Sequence, residues 1–174
     1  VWGSVLLGAG RAEEAEAKLV AADAALERAG RGAGSGPADR DLVGRIAAVR
    51  SLLAMSRQDP AEIVAQSRRA LELLDPDNAA YRGSPLLALA YASLMAGDRT
   101  GARRAYEGVL EAARTSGNTI NEILGSIGVG VTAAGDLDLD RAVASLEHAI
   151  GLGAGMPFPV LCEAHLWLAR VAYE

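Results

Sequence analysis

The sequence contains very little of several residue types, and each shortage excludes a class of protein. One of its 174 residues is a cysteine, Cys162, so no internal disulfide forms, and no secretory signal pattern opens the chain. No apolar run is long enough to cross a bilayer, because the longest stretch without a charge, 83–97, contains Pro85 and several small or polar residues. We therefore expect a cytoplasmic protein with no membrane association.

Lysine is also nearly absent, and acidic residues outnumber basic ones. The chain has one lysine against 16 arginines, and its net charge is −5. Arg99, Arg103 and Arg104 lie close together, but Glu107 and Glu111 follow at helical spacing, so that face carries mixed charge. We expect no nucleic-acid contact through this segment.

Aromatic residues and prolines are scarce, whereas alanine and leucine are abundant. Seven aromatic residues and six prolines stand against 36 alanines and 23 leucines, a composition that favours helices over strands. A chain of this length buries roughly 70% of the surface that its unfolded form exposes, so it needs no metal or cofactor for stability. The prediction is an all-α protein with no cofactor.

One pattern occurs four times along the chain. The pattern begins with a small residue in one helix, which is followed by a turn. Three positions in the next helix come after the turn, spaced four and then three residues apart. Most of these positions carry small or large apolar side chains. The four copies are Gly3, Gly10–Arg11 and Ala15, Leu19, Ala22; Ser51, Gln58–Asp59 and Ile63, Ser67, Ala70; Ala90, Gly97–Asp98 and Ala102, Tyr106, Val109; and Gly128, Gly135–Asp136 and Ala142, Leu146, Ala149. Such positions share one helix face and let helices approach closely. The pattern therefore predicts antiparallel helix pairs stacked in a row.

Turn chemistry marks where the helices begin. Asp59 and Glu62 form a capping pattern around Pro60, Thr119 begins a second one, and further N-cap candidates are Asp98 and either Asp136 or Asp138. The predicted helices are 1–8, 11–29, 38–56, 60–74, 78–96, 99–115, 119–134, 139–151 and 158–174. A glycine-rich loop at 30–37 separates the first two pairs, and Pro85 either kinks its helix or, with Ser84 as cap, starts it late.

The repeat resembles the tetratricopeptide superfamily, in particular the MalT-like variety of large LuxR-type transcription regulators with a STAND ATPase. The best-matching stretches are 89–98, followed by Ala102 and Tyr106, and 162–174, which looks like the first helix of a fifth unit. The resemblance implies a right-handed superhelix of antiparallel helix pairs in a single domain over 1–174. Its units are 1–29, 38–74, 78–115, 119–152 and a truncated 158–174, and the chain is expected to be a fragment of a longer protein.

In such a superhelix the first helix of each pair lines a concave groove. The family's groove positions, carried onto this sequence, select Arg45, Met55, Ser84, Tyr91, Met95, Glu122, Thr132, Glu163, Arg170 and Tyr173, with Ala48, Leu52, Leu87, Gly125, Val129 and Leu166 between them. This mixture suits an adaptable pocket for a small molecule or an apolar peptide. The alternative is that the apolar members are core and that Tyr91, Glu163 and Arg170 have ordinary solvated or salt-bridge roles.

Some members of the superfamily clamp a terminal carboxylate with lysine and asparagine side chains on several first helices. The one lysine here, Lys18, falls on a second helix, so a clamp of that kind is not expected, although Arg45 and Arg170 remain candidates to receive an anion in another way.

Catalytic and metal chemistry find few residues to support them. Cys162 and His165 share a helix face, and Glu147 or His148 from the neighbouring helix would complete a metal site, but recognisable pairs of zinc ligands are missing and packing explains these residues better. The glycine-rich loop has no following Lys-Ser or Lys-Thr, so it does not cradle phosphate. We predict a chain that is not an enzyme and holds no metal.

Two functions remain open. The first is a non-catalytic sensor and interaction domain of a bacterial transcription regulator, which binds an effector ligand or a protein partner in its groove while other domains bind ATP and DNA. The second is a structural scaffold for homotypic assembly, hence a homo-oligomer, or for protein–protein interaction in general.

Overall fold

The computed structural model describes residues 10–173, and within that range the chain forms eight α-helices and no strand. The helices are α1 (Ala12–Arg28), α2 (Pro37–Ser56), α3 (Pro60–Leu73), α4 (Ala79–Met95), α5 (Arg99–Ser116), α6 (Thr119–Gly135), α7 (Leu139–Leu152) and α8 (Leu161–Val171). Each agrees with a predicted helix to within three residues. The predicted helix at 1–8 lies outside the described residues. The late start of α8 follows from Pro159, which disfavours a helical conformation at Phe158.

Side-chain caps begin four of the helices. Asp59, Asp98, Asn118 and Asp138 each accept a hydrogen bond from the backbone N–H three residues later, at 3.1, 2.8, 3.1 and 3.3 Å. The predicted caps Asp59 and Asp98 are confirmed. At the start of α6 the cap is Asn118, one residue before the predicted Thr119, and at α7 it is Asp138 rather than Asp136.

The fourth turn lies two residues later than the sequence pattern placed it. Leu137 has a φ of 61° and takes the left-handed position that Gln58 and Gly97 take in the preceding units. Gly135 is instead the last residue of α6. The turn is therefore Leu137–Asp138. We call the three repeated positions of each second helix the seam positions. The caps Asp59, Asp98 and Asp138 each stand four residues before the first seam position of their unit. The small residue of this unit's first helix is consequently Gly130 and not Gly128.

The helices pack as a row of antiparallel pairs. In each pair the first helix lies against the second, α2 on α3, α4 on α5 and α6 on α7, and each second helix also contacts the first helix of the next pair. The first helices contact one another, α2 with α4, α4 with α6 and α6 with α8. This arrangement confirms the predicted all-α, TPR-like solenoid.

The predicted seam positions form the core between paired helices. Ile63, Ala102 and Ala142 have no exposed surface, and neither do Val109 and Leu146. Burying an isoleucine side chain contributes about 1.5–3 kcal/mol, whereas a buried alanine contributes mainly by letting two backbones approach. The seam thus combines a few large side chains with many small ones.

Three glycines in α6 allow unusually close packing on both sides of that helix. A Cβ atom at Gly128 would lie 2.2 Å from Cδ1 of Tyr106 on α5, and one at Gly130 would lie 2.6 Å from Cγ of Leu146 on α7. A Cβ at Gly125 would lie 3.0 Å from Leu110. Each glycine costs about 1 kcal/mol of helix propensity relative to alanine. Neighbouring side chains therefore occupy the space that a methyl group would need.

Pro85 lies inside α4 and is fully buried. Because α4 already begins at Ala79, the interpretation in which Ser84 caps a late helix is wrong. The proline removes one backbone donor from the helix interior.

Between residues 10 and 173, no helix combines the length and apolarity needed to cross a membrane.

Replacing Gly128 by alanine is expected to lower the free energy of unfolding by about 1–3 kcal/mol, because the new methyl group overlaps the Tyr106 ring. Gly151→Ala is the matched control, since nothing lies within 4 Å of a Cβ there, and it should stabilise by up to about 1 kcal/mol. Urea denaturation followed by circular dichroism measures both. Adding Tyr106→Leu should recover part of the Gly128→Ala loss, and equal stability of the two glycine variants would contradict the packing argument.

Candidate functional site

Several predicted groove residues lie together on the first helices. Met55 of α2 and Tyr91 of α4 are half-buried and pack against one cluster that joins α2, α3 and α4. Ser84 is half-buried on α4, and Met95, near the end of that helix, is 49% exposed. This part of the predicted groove is therefore continuous from α2 to α4.

Thr132 and Glu122 do not lie on an open groove. Thr132 is 2% exposed, and its hydroxyl donates a hydrogen bond to the Gly128 carbonyl at 2.9 Å. Glu122 accepts a hydrogen bond from Arg114 on α5, and the His148 ring on α7 lies 3.1 Å from the same oxygen, so its side chain points toward second helices. The two-residue shift of the fourth turn explains both corrections.

Leu124 and Val131 take the positions in α6 that Ser84 and Tyr91 take in α4, counted from the corrected turn. Both are half-buried. The groove of the fourth unit is therefore more apolar than the sequence pattern indicated.

Arg45 is held in place by neighbours on two helices. Its guanidinium forms a 2.6 Å ion pair with Asp41 and stacks over the Tyr81 ring of α4 at 4.7 Å. Asp41 also accepts hydrogen bonds from the Asp75 amide at 3.1 Å and the Asn78 side chain at 2.9 Å. Arg45 therefore ties α2 to α4 rather than standing free for a ligand.

The pKa of Asp41 reflects its contacts with Arg45, Asn78 and the Asp75 amide. Burial raises the pKa of its carboxyl, but the hydrogen bonds from Asn78, from the Asp75 amide and from Arg45 outweigh burial and hold the pKa below its usual value. The folded state therefore stabilises the charged form of the Asp41 carboxyl.

A cavity of about 630 Å³ lies between α1 and α2. Its walls are mainly apolar, with Leu19, Ala22, Leu26, Leu42, Ile46 and Val49 on the two helices and Tyr81 at its edge. The cavity is therefore bounded by apolar side chains of a second helix and of the first helix that follows it.

Tyr106 brings a polar group into the seam. Its side chain extends from α5 between Ala90 of α4 and Val129 of α6, and it is only 8% exposed. The hydroxyl has no hydrogen-bond partner among residues 10–173. Its oxygen is not fully buried, so it is open to solvent. Burial, followed by the negative charge of Glu163 on α8, raises the pKa of Tyr106 to about 12.

Glu163, Arg170 and Tyr173 lie on or just after α8, and all three are exposed. The Arg170 guanidinium lies 5.0 Å from the Trp167 ring, beside a cavity of about 200 Å³ that Arg99 and Gly135 also line. Glu163 forms no ion pair within the described part of the chain. Of the predicted acidic groove residues, it alone keeps an open carboxylate.

No group of three or more histidine, cysteine, aspartate and glutamate side chains is close enough to hold a metal among the described residues. Cys162 is exposed on α8, and His148 pairs with Glu122 rather than with Cys162 or His165.

Sequence reasoning assigned Tyr106 to the seam and missed its contact with the next first helix. The available signal was the tyrosine itself, which stands where the other units have Leu19, Ser67 and Leu146, with Gly128 in the following first helix. A tyrosine ring at a leucine position is longer, and the missing side chain at Gly128 leaves room for it.

Asp41→Asn is expected to lower the free energy of unfolding by about 1–3 kcal/mol at neutral pH, because a charge-assisted hydrogen-bond network is lost. Since the folded state lowers the pKa of Asp41, its contribution is present above the unfolded pKa of about 4 and disappears as the pH falls below it. Urea titrations across that range measure the difference, with exposed Asp77→Asn as the control. A gap between wild type and Asp41→Asn that does not change with pH would contradict this role.

Tyr106 should make the protein sensitive to alkali. The unfolded tyrosine ionises near pH 10 and the folded one near 12, so stability is intact below pH 10 and falls across that interval by about 1.4 kcal/mol per pH unit. Phenolate absorbance follows the ionisation of Tyr106, and circular dichroism follows unfolding. Tyr106→Phe removes the expected loss, and an identical alkaline profile in that variant would refute the assignment.

Comparison with known proteins agrees with this architecture. No curated protein and no solved structure matches the chain significantly. Among protein families, the MalT-like TPR region matches residues 44–174, which is most of the chain and includes every helix from the greater part of α2 to α8. The chain therefore belongs to the MalT-like TPR family, whose repeats it builds as helix pairs.

Proposed function

We propose that the chain is a non-catalytic sensor and interaction domain of a bacterial transcription regulator, and that it binds an effector or a protein partner on the groove formed by its first helices. The observation that carries this proposal is a partly apolar face on the first helices: Met55 and Tyr91 pack on one cluster, and half-buried Val131 takes the position of Tyr91 in the next unit. Apolar surface with a few placed polar groups is typical of binding sites. Membership of the MalT-like TPR family supports the link to regulators.

Binding on this face would act on the stacking of the pairs. Met55 and Tyr91 belong to different units but pack on one cluster, so a ligand that contacts both favours one relative position of α2 and α4. A change in stacking would then alter the oligomeric state of the longer regulator, in which the chain serves as a single domain over 1–174. ATP and DNA would be bound by its other domains.

The test is a titration of the chain with inducer-like metabolites and with candidate apolar peptides. Met95→Glu is expected to weaken the binding of any hit by about tenfold or more, because it places a charge in the groove. Val20→Glu, at an equally exposed apolar position on the second helix α1, should leave binding unchanged. Calorimetry supplies the affinities. A hit equally affected by both variants, or no hit in either class, would count against the proposal.

Homotypic assembly is the second candidate, and the open side of α8 favours it. Leu166 is 71% exposed, and Cys162 and Ala169 are exposed where the corresponding residues of α4, Gly83 and Ala90, are buried. A scaffold would use this face to bind a second copy. Light scattering separates the candidates, since a dimer that Leu166→Glu dissociates would favour the scaffold and a monomer would favour the sensor.

A further inference from the structure

The cavity of about 630 Å³ between α1 and α2 has the form of a site for a small organic molecule. Such sites have volumes of about 300–1,000 Å³ and mainly apolar walls with a few polar groups. Leu26 of α1 and Leu42 of α2 line the cavity, and both are only half-buried. An apolar body placed between the two helices would therefore cover leucine surface that the chain itself leaves partly exposed.

Contacts between α1 and α2 hold the two walls of the cavity in place. Leu19 of α1 is 6% exposed and packs in one cluster with side chains of α2. Ion pairs of Arg50 with Asp23 and of Arg57 with Glu16 also join the two helices. A ligand would therefore enter a site that is already formed, which limits the entropy that is lost on binding.

The charged side chains that line the cavity are all cationic. They are Lys18, Arg31 and Arg45, and among residues 10–173 no carboxylate lines it, although the net charge of the chain is −5. Arg31 and Arg45 have carboxylate partners outside the lining, Asp39 at 2.5 Å and Asp41 at 2.6 Å. Lys18 forms no ion pair and no side-chain hydrogen bond within the described part of the chain.

Lys18 therefore supplies the positive charge that remains for a ligand. Glu14 lies one helical turn before it, but both carboxylate oxygens of Glu14 accept hydrogen bonds from Arg11, at 2.6 and 2.5 Å. A lysine carries its ammonium on a flexible apolar stem, so the stem can lie along an apolar wall while the charge stays at the edge. A negative charge at this edge complements the site.

We propose that this cavity binds an amphipathic anion, a small molecule whose apolar body packs between α1 and α2 and whose carboxylate pairs with Lys18. A cation of the same shape would be repelled by the lining, and a neutral molecule would gain nothing from Lys18. The site goes beyond the proposed function, because Met55, Tyr91 and Val131 of the groove do not line this cavity.

The first measurement compares decanoate, decanol and decylammonium, which share one apolar chain, each below the concentration at which it aggregates. Calorimetry on the full chain should show decanoate binding about three- to fivefold more tightly than decanol, and decylammonium more weakly than either. Added salt should reduce the advantage of decanoate, because ions screen its pair with Lys18. Equal binding of the three molecules, or no binding of decanoate, would overturn the proposal.

A lysine variant tests the ion pair. Lys18→Met removes the charge and keeps an unbranched side chain, so decanoate should bind no more tightly than decanol. Arg69→Met, at an exposed arginine of α3 outside the lining, should leave the preference for decanoate unchanged. Loss of the preference in both variants, or in neither, would contradict the assignment of the carboxylate to Lys18.

Two neighbouring alanines of α1 test the cavity itself. Ala25 lines it and Ala24 does not, and both are exposed. Ala25→Leu places a larger side chain in the cavity, so decanoate and decanol should both bind about tenfold more weakly, whereas Ala24→Leu should change neither affinity. Equal affinities in the two variants would show that the molecules bind elsewhere and would overturn the site.

Light scattering tests the other possible occupant, a second copy of the chain. A dimer that Ala25→Leu dissociates and Ala24→Leu does not would show that a second copy covers the cavity, and this result would overturn the proposal. Met95→Glu, which changes the groove and lies outside the lining, should leave decanoate binding unchanged. The failure of this site and the failure of the proposed groove are therefore separate outcomes.

Discussion

The close approach of paired helices is the constraint on which the whole structure depends. At each seam an alanine or isoleucine without exposed surface, such as Ile63, Ala102 or Ala142, lets the second helix lie directly on the first. The chain has one cysteine and seven aromatic residues, so small and aliphatic side chains make most of its core contacts. Stability therefore comes from many short van der Waals contacts, each weak, summed along the row of pairs.

The closest packing is found around the glycines of α6. Alanine would favour the helix more than glycine at Gly128 and Gly130, yet the Tyr106 and Leu146 side chains fill the space that a methyl group would take. The chain thus accepts weaker local helix formation in exchange for denser packing on both sides of one helix. The missing side chains on α6 make room for large side chains on α5 and α7. The seam between α2 and α3 differs, because Ser51 and Ser67 are both small there.

The fold was accessible from the sequence because helix periodicity, turn residues and the seam pattern all point to the same arrangement. What failed was the register of the fourth unit. A glycine followed by an aspartate marks the turn after α4, and the same pair at Gly135–Asp136 suggested a turn there, but the left-handed residue is Leu137. Nothing local in the sequence identifies a leucine as the residue with positive φ, since the seam fixes it from a distance. The misplacement of Glu122 and Thr132 follows from that one error.

The groove was harder to predict than the fold because its polar groups come from unexpected elements. Charged residues at formal groove positions, Arg45 and Glu122, are occupied by Asp41 in one case and by Arg114 and His148 in the other. The pairs of Glu122 join α6 to α5 and α7, whereas Arg45 and Asp41 share α2 and reach α4 through further contacts. These contacts compensate charges that are partly removed from water. Contacts contributed by other helices cannot be read from the spacing of one helix.

Tyr106 shows how one side chain can link two neighbouring repeats. A leucine at this position ends inside the seam, as Leu146 does, whereas the longer tyrosine ring reaches α6 of the next unit. That requires a gap in the next first helix, which Gly128 provides. Because the same ring lies against α4, α5 and α6, a movement of α6 relative to α5 must also change its contacts with α4. The packing inside one pair is therefore coupled, through one side chain, to the packing of that pair on the next first helix.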